Sequence, residues 1–206
     1  MSAIPNRTYE PRVSGHQAPS IALVGCGAIA ELFYLPALAK HPSVLENLVL
    51  VDPYQKRLLE LSKMFNVNHY VQDHHEILKN GVDGVIVAAP TQYHYPISMN
   101  FISNGVHVLC EKPLAGSASQ AKEIVSQAQD AGVALSVNYT RRLYASFKRI
   151  KGLLEEGALG KPLSIDYQVG EEFRWPTVSG FYFNALNSSR GILLDRGSHA
   201  VDLICW

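Results

Sequence analysis

Three side chains have the types that oxidation of an alcohol requires: Lys112, His199 and, four residues before the histidine, Asp195; taken alone, Lys112 reads equally as a solvated surface lysine and His199 as a satisfied structural histidine. Removing hydride from a secondary alcohol needs a base that takes the hydroxyl proton as the C–H bond breaks, and an imidazole titrating near neutral pH suits that task. Asp195 can orient the ring and stabilise its charged form, and the Lys112 ammonium can stabilise alkoxide charge developing on the substrate oxygen. The spacings of four from Asp195 to His199 and three from His199 to Asp202 fit one face of a helix, with Asp202 read as a cap or brace.

The hydride needs an acceptor, and an earlier segment provides for one. Ile21-Ala-Leu-Val-Gly-Cys-Gly-Ala-Ile-Ala30 is an apolar strand running into Gly25-x-Gly27-x-x-Ala30. Gly25 permits a tight turn, Gly27 lets the backbone approach a pyrophosphate, and small Ala30 lets a helix pack closely on the strand. Backbone amides at the helix start, at Ala28 and Ile29, would bind the phosphates. Asp52, at the end of the second strand, stands where a carboxylate accepts hydrogen bonds from the adenosine ribose; its charge would repel a 2′-phosphate, so NAD is expected rather than NADP. Lys56 and Arg57, one turn further on, read as a solvated helix face.

These residues need a frame. Short apolar runs at Ile21–Val24, Leu48–Val51, Val85–Ala89, Val106–Cys110 and Val133–Val137 alternate with segments of helical period, which predicts a parallel sheet covered on both faces. Helices are expected near Ala28–Lys40, with Pro36 kinking or restarting the first, and near Tyr54–Phe65, Tyr93–Asn104 and Leu143–Glu156. Another runs from Ser117 to Gly132, with Ser117 and Gln120 as a capping box, Ala121, Ile124, Val125, Ala128 and Ala131 as its apolar stripe, and Gly132 as its stop. The right-handed crossover rule makes this an α/β, doubly wound fold. Lys112 then falls just past the carboxyl end of a strand, where open parallel sheets bind ligands. After Gly157 the texture changes: Lys161–Gly170 reads as a longer alternating strand, followed by an aromatic segment with Trp175, Phe181, Tyr182 and Phe183.

Two further segments carry a family resemblance. His107-Val-Leu-Cys-Glu-Lys-Pro-Leu-Ala115 and Gly191-Ile-Leu-Leu-Asp-Arg-Gly-Ser-His-Ala-Val-Asp202, with the glycine turn and Ala89-Pro90-Thr-Gln-Tyr-His94, closely resemble the glucose-fructose oxidoreductase, inositol dehydrogenase and rhizopine-catabolism (Gfo/Idh/MocA) family over residues 20 to 206. The resemblance implies an NAD(P)-dependent oxidoreductase acting on a sugar, polyol or related hydroxyl compound. It implies that Lys112 hydrogen-bonds the reacting oxygen, that Glu111 lies near the nicotinamide ribose, and that the Lys112–Pro113 bond is often cis. His199 matches the family's acid/base histidine and Asp195 its companion carboxylate. Pro90 and Thr91 fall where a loop touches the cofactor, Thr91 replacing the commoner asparagine, and Arg190 replaces a usual glycine.

From the residues alone, His94 either approaches the nicotinamide or braces the structure. Asn138, Tyr139, Arg141, Trp175 and Tyr182 are substrate-pocket candidates, with hinge or core roles as the alternative. His74 and His75 read as exposed, and no metal site is expected.

Composition narrows the class. The 206 residues carry 18 Lys+Arg against 18 Asp+Glu, so a nucleic-acid or anionic-membrane partner is disfavoured. No apolar stretch approaches the ~20 residues of a bilayer span. Cys26, Cys110 and Cys205 are scattered and read as small buried residues in a reduced, cytoplasmic setting. Residues 1–19 read as a loose tail, 20–140 as the dinucleotide domain and 141–206 as the start of an α+β substrate domain that would continue beyond Trp206. Truncation would leave apolar surface open and favour a homo-oligomer. The alternative function is a dinucleotide-binding module without turnover.

Overall fold

A computed structural model of the chain describes residues 18–78, 81–170, 172 and 191–206. The chain divides into two compact units, residues 1–137 and 138–206.

In chain order the first unit runs β1 (Ile21–Val24), a wide π turn (Ala30–Tyr34), α1 (Leu35–Leu38), α2 (Pro42–Leu45), β2 (Leu48–Val51), α3 (Gln55–Phe65), β3 (His69–Val71), α4 (His75–Leu78), β4 (Gly84–Val87), a 3₁₀ turn (Thr91–Tyr93), α5 (His94–Ser103), β5 (His107–Cys110), α6 (Ala118–Asp130) and β6 (Leu135–Val137). The six strands are parallel in the order β3-β2-β1-β4-β5-β6, a doubly wound α/β fold. The apolar runs of the strands bury both faces. Ala22, Val24, Val49, Val51, Val85 and Val87 face α5 and α6 through Phe101, Ile102, Ile124 and Ala128, while Leu23, Leu48 and Leu50 face Leu35 and, on α3, Leu58 and Leu61. Truncating one of these leucines to alanine would cost about 2–5 kcal/mol.

Pro36 restarts the first helix. It sits in the first turn of α1, and the Leu35 amide reaches back to the Ala30 carbonyl across the π turn. A proline in an unbroken α-helix would crowd the carbonyl four residues earlier, and the wider turn lies directly ahead of it. Ser117 caps α6, its side chain accepting from the Gln120 amide at 3.3 Å. Its buried stripe is narrower than expected, since Val125 and Ala131 are exposed. β3 was not evident in the pattern: as an edge strand of three half-buried residues it needs no apolar run.

The second unit has a 3₁₀ turn (Thr140–Leu143), α7 (Ala145–Glu155), α8 (Gly191–Asp195) and α9 (Gly197–Cys205). Lys161–Gly170, expected as a strand, has no regular structure, and Leu163 within it is 95% exposed. A strand exists through its ladder with a neighbour, and no strand occurs among the described residues of this unit. No helix among the described residues is long and apolar enough to cross a membrane.

Candidate functional site

The glycine turn follows β1 at the point where the sheet order reverses, between β1 and β4, the place where doubly wound sheets leave a crevice. Gly25 has φ +97°, and a Cβ there would lie 2.5 Å from the Ala89 nitrogen and 2.7 Å from the Ala88 carbonyl oxygen. Its glycine is therefore demanded by the chain leaving β4. Gly27 differs: a Cβ on it would meet no protein atom within 4 Å. Space there is open on the side where a pyrophosphate would approach, and a helical turn begins at Ala28, whose first amides have no acceptor within their own helix. Ala30 is fully buried, as close helix packing requires. These residues fit a dinucleotide.

Asp52 holds the turn. Its Oδ2 accepts from the Cys26 amide and its Oδ1 from the Tyr54 amide, both at 2.9 Å, leaving further lone pairs on each oxygen for a ribose. Arg57 corrects the expected solvated face. Its side chain is only 16% exposed, its Nε donates to the Cys26 carbonyl at 2.6 Å, and its guanidinium also pairs with Glu31 and Glu60. Lys56 alone is solvated. Nothing in the local pattern of α3 marks Arg57, because its partner, the Cys26 carbonyl, lies far back in the chain.

The loop after β4 and the loop after β5 lie side by side. The Glu111 amide donates to the Val87 carbonyl at 2.9 Å. The Glu111 carboxylate, 8% exposed, accepts from Tyr34 Oη at 2.7 Å and from the Lys112 amide at 3.3 Å. Tyr34, on the π turn, went unnoticed in the sequence because nothing in its local pattern points at a residue so far along the chain. The Lys112–Pro113 peptide is cis, and Lys112, Pro90 and Thr91 are partly exposed around it. His94 is 1% exposed, with Nδ1 2.8 Å from the Pro113 carbonyl oxygen and Nε2 2.7 Å from that of Ala89. Both ring nitrogens are occupied by the protein, which favours the bracing alternative over direct contact with a nicotinamide.

In the second unit, Asp195 ends α8 and His199 lies in the first turn of α9, with Arg196 between them as cap; two short helices replace the single helical face expected. Tyr139 meets the His199 ring edge-on at 5.8 Å between centroids. Asp202, 8% exposed, accepts from Arg142 Nε at 2.7 Å and from a terminal guanidinium nitrogen at 2.5 Å, so it braces α9 against the 3₁₀ turn. Arg142 also lies over the Tyr139 and Trp206 rings. Arg141 donates to Tyr167 Oη, and Asn138 is partly buried. Trp175, Tyr182 and Arg190 lie outside the described residues.

Asp73, His74 and His75 are the one group of metal-ligand types gathered among the described residues. Asp73 Oδ1 accepts the His75 amide at 3.0 Å, and the Asn100 amide group lies 3.2 Å from His74 Nε2. His74, expected to be exposed, is partly buried, whereas His75 is exposed; burial, then the neighbouring His75, holds the His74 imidazole below the usual value.

Residues 20–139 match the oxidoreductase family with an NAD-binding Rossmann fold, and residues 147–206 the GFO/IDH/MocA C-terminal domain. The chain belongs to the GFO/IDH/MocA oxidoreductase family. It is 30% identical over 183 residues to a scyllo-inositol 2-dehydrogenase (NADP(+)) of Bacillus subtilis, covering 88% of this chain and 49% of that protein. It is 26% identical over 187 residues to a myo-inositol 2-dehydrogenase of Thermotoga maritima, covering 89% and 53%. A dehydrogenase from Bordetella pertussis, solved in complex with NADH and UDP-GlcNAcA, superposes with a TM-score of 0.66 at 25% identity over 72% of this chain and 43% of that one. The chain spans about half the length of the curated relatives it matches. GFO/IDH/MocA relatives use NAD or NADP, so the family assigns an NAD(P) site without choosing between them.

Proposed function

We propose that this protein transfers hydride between NAD and a CH–OH carbon of a sugar or polyol. The observation that carries the reading is the convergence, past the carboxyl ends of β1, β4 and β5, of an open glycine turn anchored by Asp52, the Pro90–Thr91 loop and the Glu111–Lys112–Pro113 loop. The relatives named for inositols support the substrate class. The bound cofactor would supply the hydride acceptor or donor. Gly25, Gly27, Ala28 and Ile29 would bind its phosphates, Asp52 its adenosine ribose, and Pro90, Thr91 and Glu111 its nicotinamide half.

Lys112 would hold the substrate oxygen and stabilise its developing negative charge. His199, oriented by Asp195, would take the hydroxyl proton in the oxidation direction and return it in reduction. Asn138 and Arg141, with Trp175 and Tyr182, are proposed to contact substrate. NAD is preferred to NADP because the Asp52 carboxylate would face a 2′-phosphate.

The test is NADH absorbance with a panel of inositols and sugars, run beside calorimetric NAD titration. Turnover that falls roughly 10²- to 10⁴-fold in His199→Asn supports the assignment. Binding without turnover would leave a dinucleotide-binding module, and no binding would overturn the reading.

A further inference from the structure

His94 is the first residue of α5, and its ring lies between two backbone carbonyls, Ala89 from the loop after β4 and Pro113 from the loop after β5. Carbonyl oxygens only accept hydrogen bonds. A neutral imidazole has one N–H and one lone pair, so it could satisfy one carbonyl and would turn a lone pair on the other at less than 3 Å. Two contacts of 2.7 and 2.8 Å require two donors, and only the imidazolium has them.

We propose that His94 is a positioning residue carrying a buried imidazolium that donates from both ring nitrogens and staples the Ala89–Pro90 loop to the Lys112–Pro113 turn. Its positioning role rests on the cofactor reading above; its protonation does not.

The charged groups around the ring divide. Burial pulls the imidazole below its ordinary value, and the Lys112 ammonium adds to that; the Pro113 and Ala89 carbonyls and the Glu111 carboxylate pull the other way. Taken together these influences lower the value, and the amino end of α5 adds a further opposing field. Against that sum stands the geometry: two carbonyl contacts under 3 Å, each of which needs a donor. Deprotonation would exchange a charge-assisted hydrogen bond for a lone pair facing a lone pair in a site closed to bulk solvent, His94 being 1% exposed. The negative charge that offsets the cation is itself fixed, since Tyr34 Oη and the Lys112 amide hold the Glu111 carboxylate.

The staple adds to a link nearer the sheet, where the Glu111 amide donates to the Val87 carbonyl at the end of β4. It acts further out, where Pro90 and Lys112 stand. Losing it should loosen the nicotinamide end of the crevice and leave the Asp52 end unchanged.

Long-range ¹H–¹⁵N correlation of the imidazole nitrogens in the unmutated protein at pH 7 tests the charge. Two protonated ring nitrogens on His94 are expected; one protonated and one unprotonated nitrogen would overturn the imidazolium. Calorimetry with NADH and ADP-ribose tests the positioning. His94→Gln should bind NADH roughly tenfold more weakly, the equivalent of one lost hydrogen bond, with ADP-ribose affinity unchanged. Equal weakening of both ligands, or of neither, would overturn the positioning role. If the unmutated chain binds neither nucleotide, the cofactor reading fails, and the ring spectrum still decides the charge state of His94.

Discussion

The Asp52 carboxylate accepts the Cys26 amide at 2.9 Å, so the acid that would recognise the cofactor's ribose also fixes the turn that would hold its phosphates. Asp52→Asn keeps an oxygen for one of the two amides and removes the charge; it should narrow the preference for NAD over NADP. Asp52→Ala removes both anchors and should weaken both dinucleotides by a factor of roughly ten or more. Calorimetric titrations of NAD and NADP check this, and an unmutated chain that binds NADP as tightly as NAD would contradict it.

Lys112→Ala should abolish most turnover while leaving NAD affinity nearly unchanged, because the ammonium is assigned to the substrate oxygen. Initial rates beside NAD titrations separate the two effects. Near-normal rates in the variant would remove Lys112 from the mechanism.

Arg57 ties α3 to the glycine turn through the Cys26 carbonyl and Glu31. Arg57→Ala should cost about 1–3 kcal/mol by leaving that carbonyl and Glu31 short of a donor. Arg57→Lys should recover only part of the loss, since one ammonium cannot span the same partners in a planar fork. Urea unfolding of the three proteins measures it, and equal midpoints would show that the brace contributes nothing.

Asp202 is nearly buried, whereas the Arg142 side chain is 40% exposed, so the solvent screens this pair in part. Arg142→Ala should cost about 1–2 kcal/mol, below the 3–5 of a fully buried pair, and Arg142→Ala with Asp202→Asn should recover part of it. Protease cleavage within residues 138–206 should quicken in the single variant and slow again in the double.

Cys205 is exposed, against the expectation that all three cysteines are buried. Burial pushes the thiols of Cys26 and Cys110 up to about 12, Asp52 adding to the effect at Cys26. Iodoacetamide at pH 8 should therefore label the native protein at Cys205 alone and the denatured chain at all three. Their ordinary value lies near 9, so the unfolded chain releases these protons first; the stability they contribute is complete below pH 9 and is lost as pH rises toward 12. Rapid native labelling of Cys26 or Cys110 would contradict their burial.

Much of the first unit was legible because its signals are local. Gly25, Gly27 and Ala30 sit within one turn, Ser117 caps its own helix, and each central strand is an unbroken apolar run. What escaped notice depends on partners distant in the chain. Tyr34 finds Glu111 across the crevice, Arg57 finds the Cys26 carbonyl, and β3 is a strand only because β2 lies beside it. Lys161–Gly170 shows the converse: alternation is present, but with no neighbouring strand among the described residues it forms no ladder. At Gly25 the sequence points to a turn glycine, yet the atoms that demand it, Ala88 and Ala89, belong to a segment no local pattern connects with it.

That contact also bears on the order of events as the chain leaves the ribosome. Gly25 is sterically fitted to Ala88 and Ala89, and the Ala88 amide bonds the Val24 carbonyl at 2.7 Å. The wall against Gly25 is therefore complete only once the chain has been synthesised through β4 to Ala89. A nascent chain ending before β4 carries the complete glycine signature without the wall that lies against it.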